Sequence, residues 1–161
     1  MLPDLLLAEA QALLAACRAK GIVLATAESC TGGLIAAALT AIAGSSDVVD
    51  RGFITYSNEA KNELVGVPMQ LIQAHGAVSD EVALAMAEGA LARSRATAAI
   101  SVTGVAGPGG GSPEKPVGLV WFGLAWKGRP IVSERKFVPG NRTEVRTAAV
   151  AHAFAMIKAR I

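Results

Sequence analysis

Aromatic side chains make up only 4% of this 161-residue sequence, and cysteine occurs twice, at Cys17 and Cys30. So few rings leave little on which bases could stack, and the basic residues are scattered rather than gathered, so no nucleic-acid partner is expected. An excess of one charge is lacking too: 15 Lys and Arg against 13 Asp and Glu leave a formal charge of +2. No apolar run is long enough to span a bilayer. Residues 1–16 come nearest, but Asp4, Glu9 and Gln11 interrupt them, and no basic leader region or small-residue cleavage site accompanies them. The expectation is a cytoplasmic protein without a membrane partner. Without a signal for an oxidising compartment, the two cysteines read as free thiols. There are two histidines and no Cys/His cluster with ligand spacing. Asp80 and Glu81 read as complements to a helix dipole, so neither a metal nor a cofactor is expected.

What is present is a core. Hydrophobic residues make up 52% of the chain and mean hydropathy is +0.44, enough for one domain over residues 1–161. Apolar positions at near-helical spacing predict a helix over 3–20, with Gly21 as its left-handed terminator. The run from Ile22 to Ala27 reads as a strand covered on both faces. A small-residue helix over 34–43, a strand over 48–56, and a short helix over 58–65 capped by Asn58 and Glu59 follow. Pro68 opens another short helix, and Ser79 caps a longer one that ends near Ser94. Residues 98–103 read as a third buried strand and 104–116 as a loop rich in Gly and Pro. Residues 117–126 and 131–138 read as a hairpin, the one antiparallel element expected, and 142–160 as a closing helix. That order predicts a three-layer α/β/α sandwich.

Chemistry concentrates where the first strand ends, at Glu28-Ser29-Cys30-Thr31-Gly32-Gly33. A strand that turns through glycines into a helix places Ser29 at the carboxyl edge of the sheet, with backbone N–H groups of Cys30 to Gly33 available to an oxyanion or a phosphate. The alternative is that Ser29 or Thr31 only caps the helix. A serine nucleophile needs a base. His152 lies in an apolar helical stretch and His75 at a turn, so neither is a convincing partner. Lys61 follows the second strand at the same sheet edge and could serve if burial lowers its pKa; otherwise it is a surface lysine paired with Glu59 or Glu63. Tyr56 could hydrogen-bond either partner or simply close the core. Cys30 is a rival nucleophile, ranked second because neighbouring side chains leaving a strand diverge. The loop containing Thr103, Gly104 and Gly107 could cradle an anion or be a plain connection. Arg142 could clamp a phosphate or stand in solvent.

Thr26 to Gly33, Gly44-Ser45-Ser46, Arg51 to Lys61, His75 to Ser79, Thr103 to Pro108 and Lys115 to Gly118 follow one another in this order. Together they resemble the CinA C-terminal domain family, the nicotinamide mononucleotide deamidases of PncC type. The resemblance implies a mostly parallel five-stranded sheet with one antiparallel strand. It implies hydrolysis of the carboxamide of nicotinamide mononucleotide to nicotinic acid mononucleotide and ammonia, a step of pyridine nucleotide recycling, with a small-molecule nucleotide as the partner. By that resemblance Ser29 is the nucleophile, Lys61 its base and Tyr56 the family tyrosine, while Thr103, Gly104 and Arg142 are substrate contacts. Many relatives carry a larger N-terminal domain that is absent here. The alternative function is a binding module that keeps the pocket without turnover. Homo-oligomerisation is left open.

Overall fold

In the computed structural model, which describes residues 2–161, the predicted elements form in order. The strands are β1 (Leu24–Glu28), β2 (Val49–Ile54), β3 (Ala98–Gly104), β4 (Leu119–Trp126) and β5 (Val132–Phe137). The helices are α1 (Asp4–Ala19), α2 (Leu34–Thr40), α3 (Asn58–Val65), α4 (Met69–His75), α5 (Asp80–Ala92) and α6 (Arg142–Lys158). One sheet runs β2-β1-β3-β4-β5. β1 pairs in parallel with both β2 and β3, while β4 is antiparallel to β3 and to β5. Four strands therefore point one way and β4 alone is reversed, which makes the carboxyl ends of β1, β2 and β3 one continuous edge.

Two apolar layers sandwich the sheet. On one face α1, α2 and α6 bury Leu13, Leu14, Ile35, Leu39, Val150 and Phe154 against Ile100, Phe122 and Leu124. On the other, Val65, Val82 and Met86 from α3 and α5 pack on Ala25, Ala27 and Ala99. Alanine on that side of β1 and β3 lets the helices approach closely. At Gly89 of α5 a methyl group would stand 1.7 Å from the Val65 carbonyl oxygen, so only glycine permits the α3–α5 contact. This contact bears on function because α3 carries Lys61.

Helix starts follow the expected chemistry with one shift. Ser79 caps α5 by accepting from Val82 N, and Asn141 with Glu144 forms a capping box on α6. The cap of α3 is Ser57, one residue before Asn58, accepting from Ala60 N at 3.0 Å. Ser57 holds the extended backbone that a cap requires, whereas Asn58 is already in the helix. Cys17 and Cys30 are both free and buried. Among the described residues no helix is long and apolar enough to cross a membrane.

Candidate active site

The site begins with strand ends that have run out of sheet. Ser29 N donates to Val102 O at 2.9 Å and Thr55 N to Glu28 O at 2.9 Å, so each ladder continues one step beyond its strand and fixes the two chains that leave the edge. One carries Ser29; the other leads through Thr55 and Tyr56 into α3.

Lys61 and Val65 lie four residues apart, one above the other on a helix, and both are buried. The face that seats Val65 in the core therefore delivers Lys61 to the sheet edge. Its side chain is 1% exposed. Its Nζ donates to Thr55 O at 2.9 Å and lies 3.0 Å from Ser29 Oγ. Glu59 and Glu63 point to solvent, and among the described residues Lys61 makes no ion pair, which removes the surface-lysine alternative. Burial without a compensating carboxylate pulls its pKa from 10.5 down to about 8. Ser29 itself is nearly buried, with its hydroxyl against a lysine poised to accept a proton.

Ser29 does not cap α2, and neither does Thr31. Glu28 does. Its carboxylate accepts from Gly33 N at 3.2 Å, Ile35 N at 3.0 Å and Ala36 N at 2.9 Å, satisfying the opening amides of the helix from inside the fold. Gly32 N donates to Ser29 O at 3.0 Å. The expectation that amides from Cys30 to Gly33 stand free is thereby narrowed to Cys30 and Thr31, the two of these four whose N–H makes no hydrogen bond to another described residue. Gly32 and Gly33 hold φ of +58° and +98°, so glycine is required there by the backbone itself. The signal for Glu28 was in the sequence: a charged residue closing a strand that is otherwise apolar but for Thr26 must find buried donors. Replacing Glu28 with Ala strands those amides, and we expect a loss of about 2–4 kcal/mol in urea unfolding, with Glu28→Gln losing less.

The rival nucleophile is disfavoured by its surroundings. The Cys30 thiol packs among the apolar residues beneath α2 and α6, and burial pushes it up to about 11, so it stays protonated at neutral pH. Arg142, at the start of α6, donates from Nη1 to Gly107 O at 2.9 Å and from Nη2 to Tyr56 Oη at 3.0 Å. Tyr56, Gly107 and Arg142, far apart in the chain, are thus joined at one rim. The Thr103 hydroxyl donates to Ala77 O at 2.8 Å, tying β3 to the turn before α5. At Gly104 a Cβ would lie 2.8 Å from Leu119 O, where β3 meets β4.

Sequence reasoning missed a second arginine on α6. Arg146 donates from Nε to Cys30 O at 3.1 Å and from Nη2 to Thr31 O at 3.0 Å. Neither histidine joins the site. His152 is bonded to Glu134 Oε2 at 2.8 Å and meets the Phe122 ring edge-on. His75 lies beside Glu81 in a separate depression of about 310 Å³, lined also by Lys115 and Arg135, which includes neither Ser29 nor Lys61. Among the described residues no group of three or more His, Cys, Asp or Glu side chains could hold a metal ion.

The fold and this edge define an α/β sandwich with a buried serine–lysine pair where parallel strands end. Over residues 7–161 the sequence matches the model of the CinA C-terminal domain, and the chain belongs to that family. It is 50% identical to the nicotinamide-nucleotide amidohydrolase PncC of Escherichia coli strain K12, covering 86% of this chain and 84% of that protein. The protein of that name from Enterobacter agglomerans is 53% identical, over 84% of this chain and 82% of its own. The chain is also 51% identical to a CinA-like protein of Mycolicibacterium gilvum, of which it spans 33%, and it spans 34% of a relative from Symbiobacterium thermophilum. Among solved structures, the competence/damage inducible protein CihA from Agrobacterium tumefaciens superposes with a TM-score of 0.95 at 48% identity, covering 99% of this chain and 97% of that one.

Proposed function

We propose that this chain is a nicotinamide-nucleotide amidohydrolase that converts nicotinamide mononucleotide and water to nicotinic acid mononucleotide and ammonia by a serine–lysine mechanism. The observation that carries the reading is the neutralisable Lys61 Nζ, buried without an ion pair, at 3.0 Å from Ser29 Oγ. The names of the 50–53% identical relatives support the substrate.

In the neutral state Lys61 accepts the Ser29 proton as Oγ bonds to the carboxamide carbon. The tetrahedral oxyanion faces the amides of Cys30 and Thr31, the two that the fold leaves unsatisfied. The carbon–nitrogen bond breaks, the proton on Lys61 passes to the leaving nitrogen, and ammonia departs. Water then gives a proton to Lys61 and attacks the ester, releasing the carboxylate and restoring Ser29. No cofactor enters the scheme, and the product returns to pyridine nucleotide recycling. Arg142 binds the phosphate as a bidentate donor, with Tyr56 and the loop of Thr103, Gly104 and Gly107 completing the nucleotide rim.

The test is ammonia release from nicotinamide mononucleotide by the purified protein, with nicotinic acid mononucleotide formed one for one. Binding without ammonia would mark a silent nucleotide-binding module instead. If Arg142 holds the phosphate, Arg142→Ala should raise KM roughly 10–100-fold while changing kcat much less, and the penalty should vanish for the nucleoside lacking phosphate.

A further inference from the structure

The turn that carries Ser29 is braced by Arg146, whose guanidinium donates to the carbonyl oxygens of Cys30 and Thr31. We infer that Arg146 positions and polarises the Thr31 N–H as an oxyanion donor, an inference that rests on the amide-hydrolysis reading above.

Rigid peptide planes carry the effect from Arg146 to the N–H. Gly32 N donates to Ser29 O, closing a four-residue turn whose middle peptide joins Cys30 to Thr31. In a trans peptide the carbonyl and the following N–H point in opposite directions. The Thr31–Gly32 peptide is held at both ends, by Arg146 on the Thr31 oxygen and by Ser29 O on the Gly32 N–H. The Cys30–Thr31 peptide is held at one end only. Arg146 Nε grips its oxygen, and its N–H is unpartnered. Whatever fixes that oxygen aims that N–H. A guanidinium suits the task because its fork reaches both carbonyls at once and because its charge, on the carbonyl side, draws electron density from the amide and strengthens its N–H as a donor. Thr31 is β-branched and has no positive φ, which opposes complete reversal of the middle peptide. The work left to Arg146 is fine aim and polarity, where an oxyanion donor is most sensitive. One helical turn separates it from Arg142, so the same helix would serve the phosphate rim and the oxyanion site.

The experiment compares wild type, Arg146→Ala and Arg146→Lys with nicotinamide mononucleotide. We expect Arg146→Ala to lower kcat about 10–100-fold. KM should stay within about threefold and the pH inflection of Lys61 should stay in place. Arg146→Lys should recover only part of the loss, and millimolar guanidinium should partly rescue Arg146→Ala. A second readout is labelling of Ser29 by an aryl fluorophosphonate, read by mass spectrometry, since the phosphoryl oxygen occupies the oxyanion position whatever the natural substrate is. Slower labelling of Arg146→Ala, with a wild-type melting temperature, sustains the inference even if wild type releases no ammonia, in which case only the substrate reading fails. Unchanged kcat and labelling, or a loss explained by KM or by unfolding, would overturn it.

Discussion

Ser29→Ala should reduce ammonia release from nicotinamide mononucleotide by roughly four orders of magnitude or more, to a residue set by binding and the oxyanion donors alone. The hydroxyl makes one contact of consequence, with Lys61 Nζ, and lies against no helix amide that needs a cap, so its removal costs little stability. Affinity for the nucleotide, measured by calorimetry, should change by no more than a few-fold, since the phosphate rim is untouched. The combination is diagnostic. A variant that binds and does not turn over places Ser29 in the chemical step; one that retains wild-type turnover would remove the serine mechanism altogether.

Lys61→Met should lower turnover by about three orders of magnitude, less than the loss of the nucleophile, and should also make the protein more stable at neutral pH. The pH dependence follows from a pKa of about 8 in the folded protein against 10.5 for an ordinary lysine. Below pH 8 the base is mostly protonated, so wild-type kcat/KM should climb about tenfold per unit as pH rises towards 8 and then level, while the Met variant shows no such inflection. Stability carries the opposite burden. Between about pH 8 and 10.5 the unfolded chain holds a proton that the folded one has lost, so stability rises with pH across that window. Below it, charging the buried ammonium costs on the order of 3 kcal/mol. Methionine fills the same space without that charge but forfeits the bond to Thr55 O. A net gain of about 1–2 kcal/mol at pH 7, shrinking as pH passes 8, is expected from urea midpoints. A Met variant less stable than wild type at pH 7 would mean that Lys61 is not held in an unfavourable charged state.

Much of this architecture can be read one segment at a time. The largely apolar run before Glu28 read as a covered strand, Gly21 could end a helix where it stands, and Ser79 announced a helix start through short-range chemistry. Ser57 escaped notice because Asn58 beside it is as good a capping residue by type; only the backbone shows which of the two is extended. Ser29 and Lys61 were identifiable as candidates by their place at strand ends, but spacing alone favoured a surface role for Lys61, paired with Glu59 or Glu63.

Sequence by itself thus determined the elements, their order and the residue types available at the sheet edge, because helix and strand periodicity, caps and left-handed glycines are written in neighbours only a few positions apart. Tertiary structure alone decided which of those residues meet. Lys61 reaches Ser29 across 32 positions, Arg142 reaches Tyr56 across 86, and Arg146 reaches Thr31 across 115. No local pattern encodes such distances. Burial without a counter-ion turns a common lysine into a base, and with Gly32 N taken by Ser29 O and Gly33 N by Glu28, the amides of Cys30 and Thr31 are the donors left in that turn. Both depend on where the strands are placed in the sheet and on what packs against its edge.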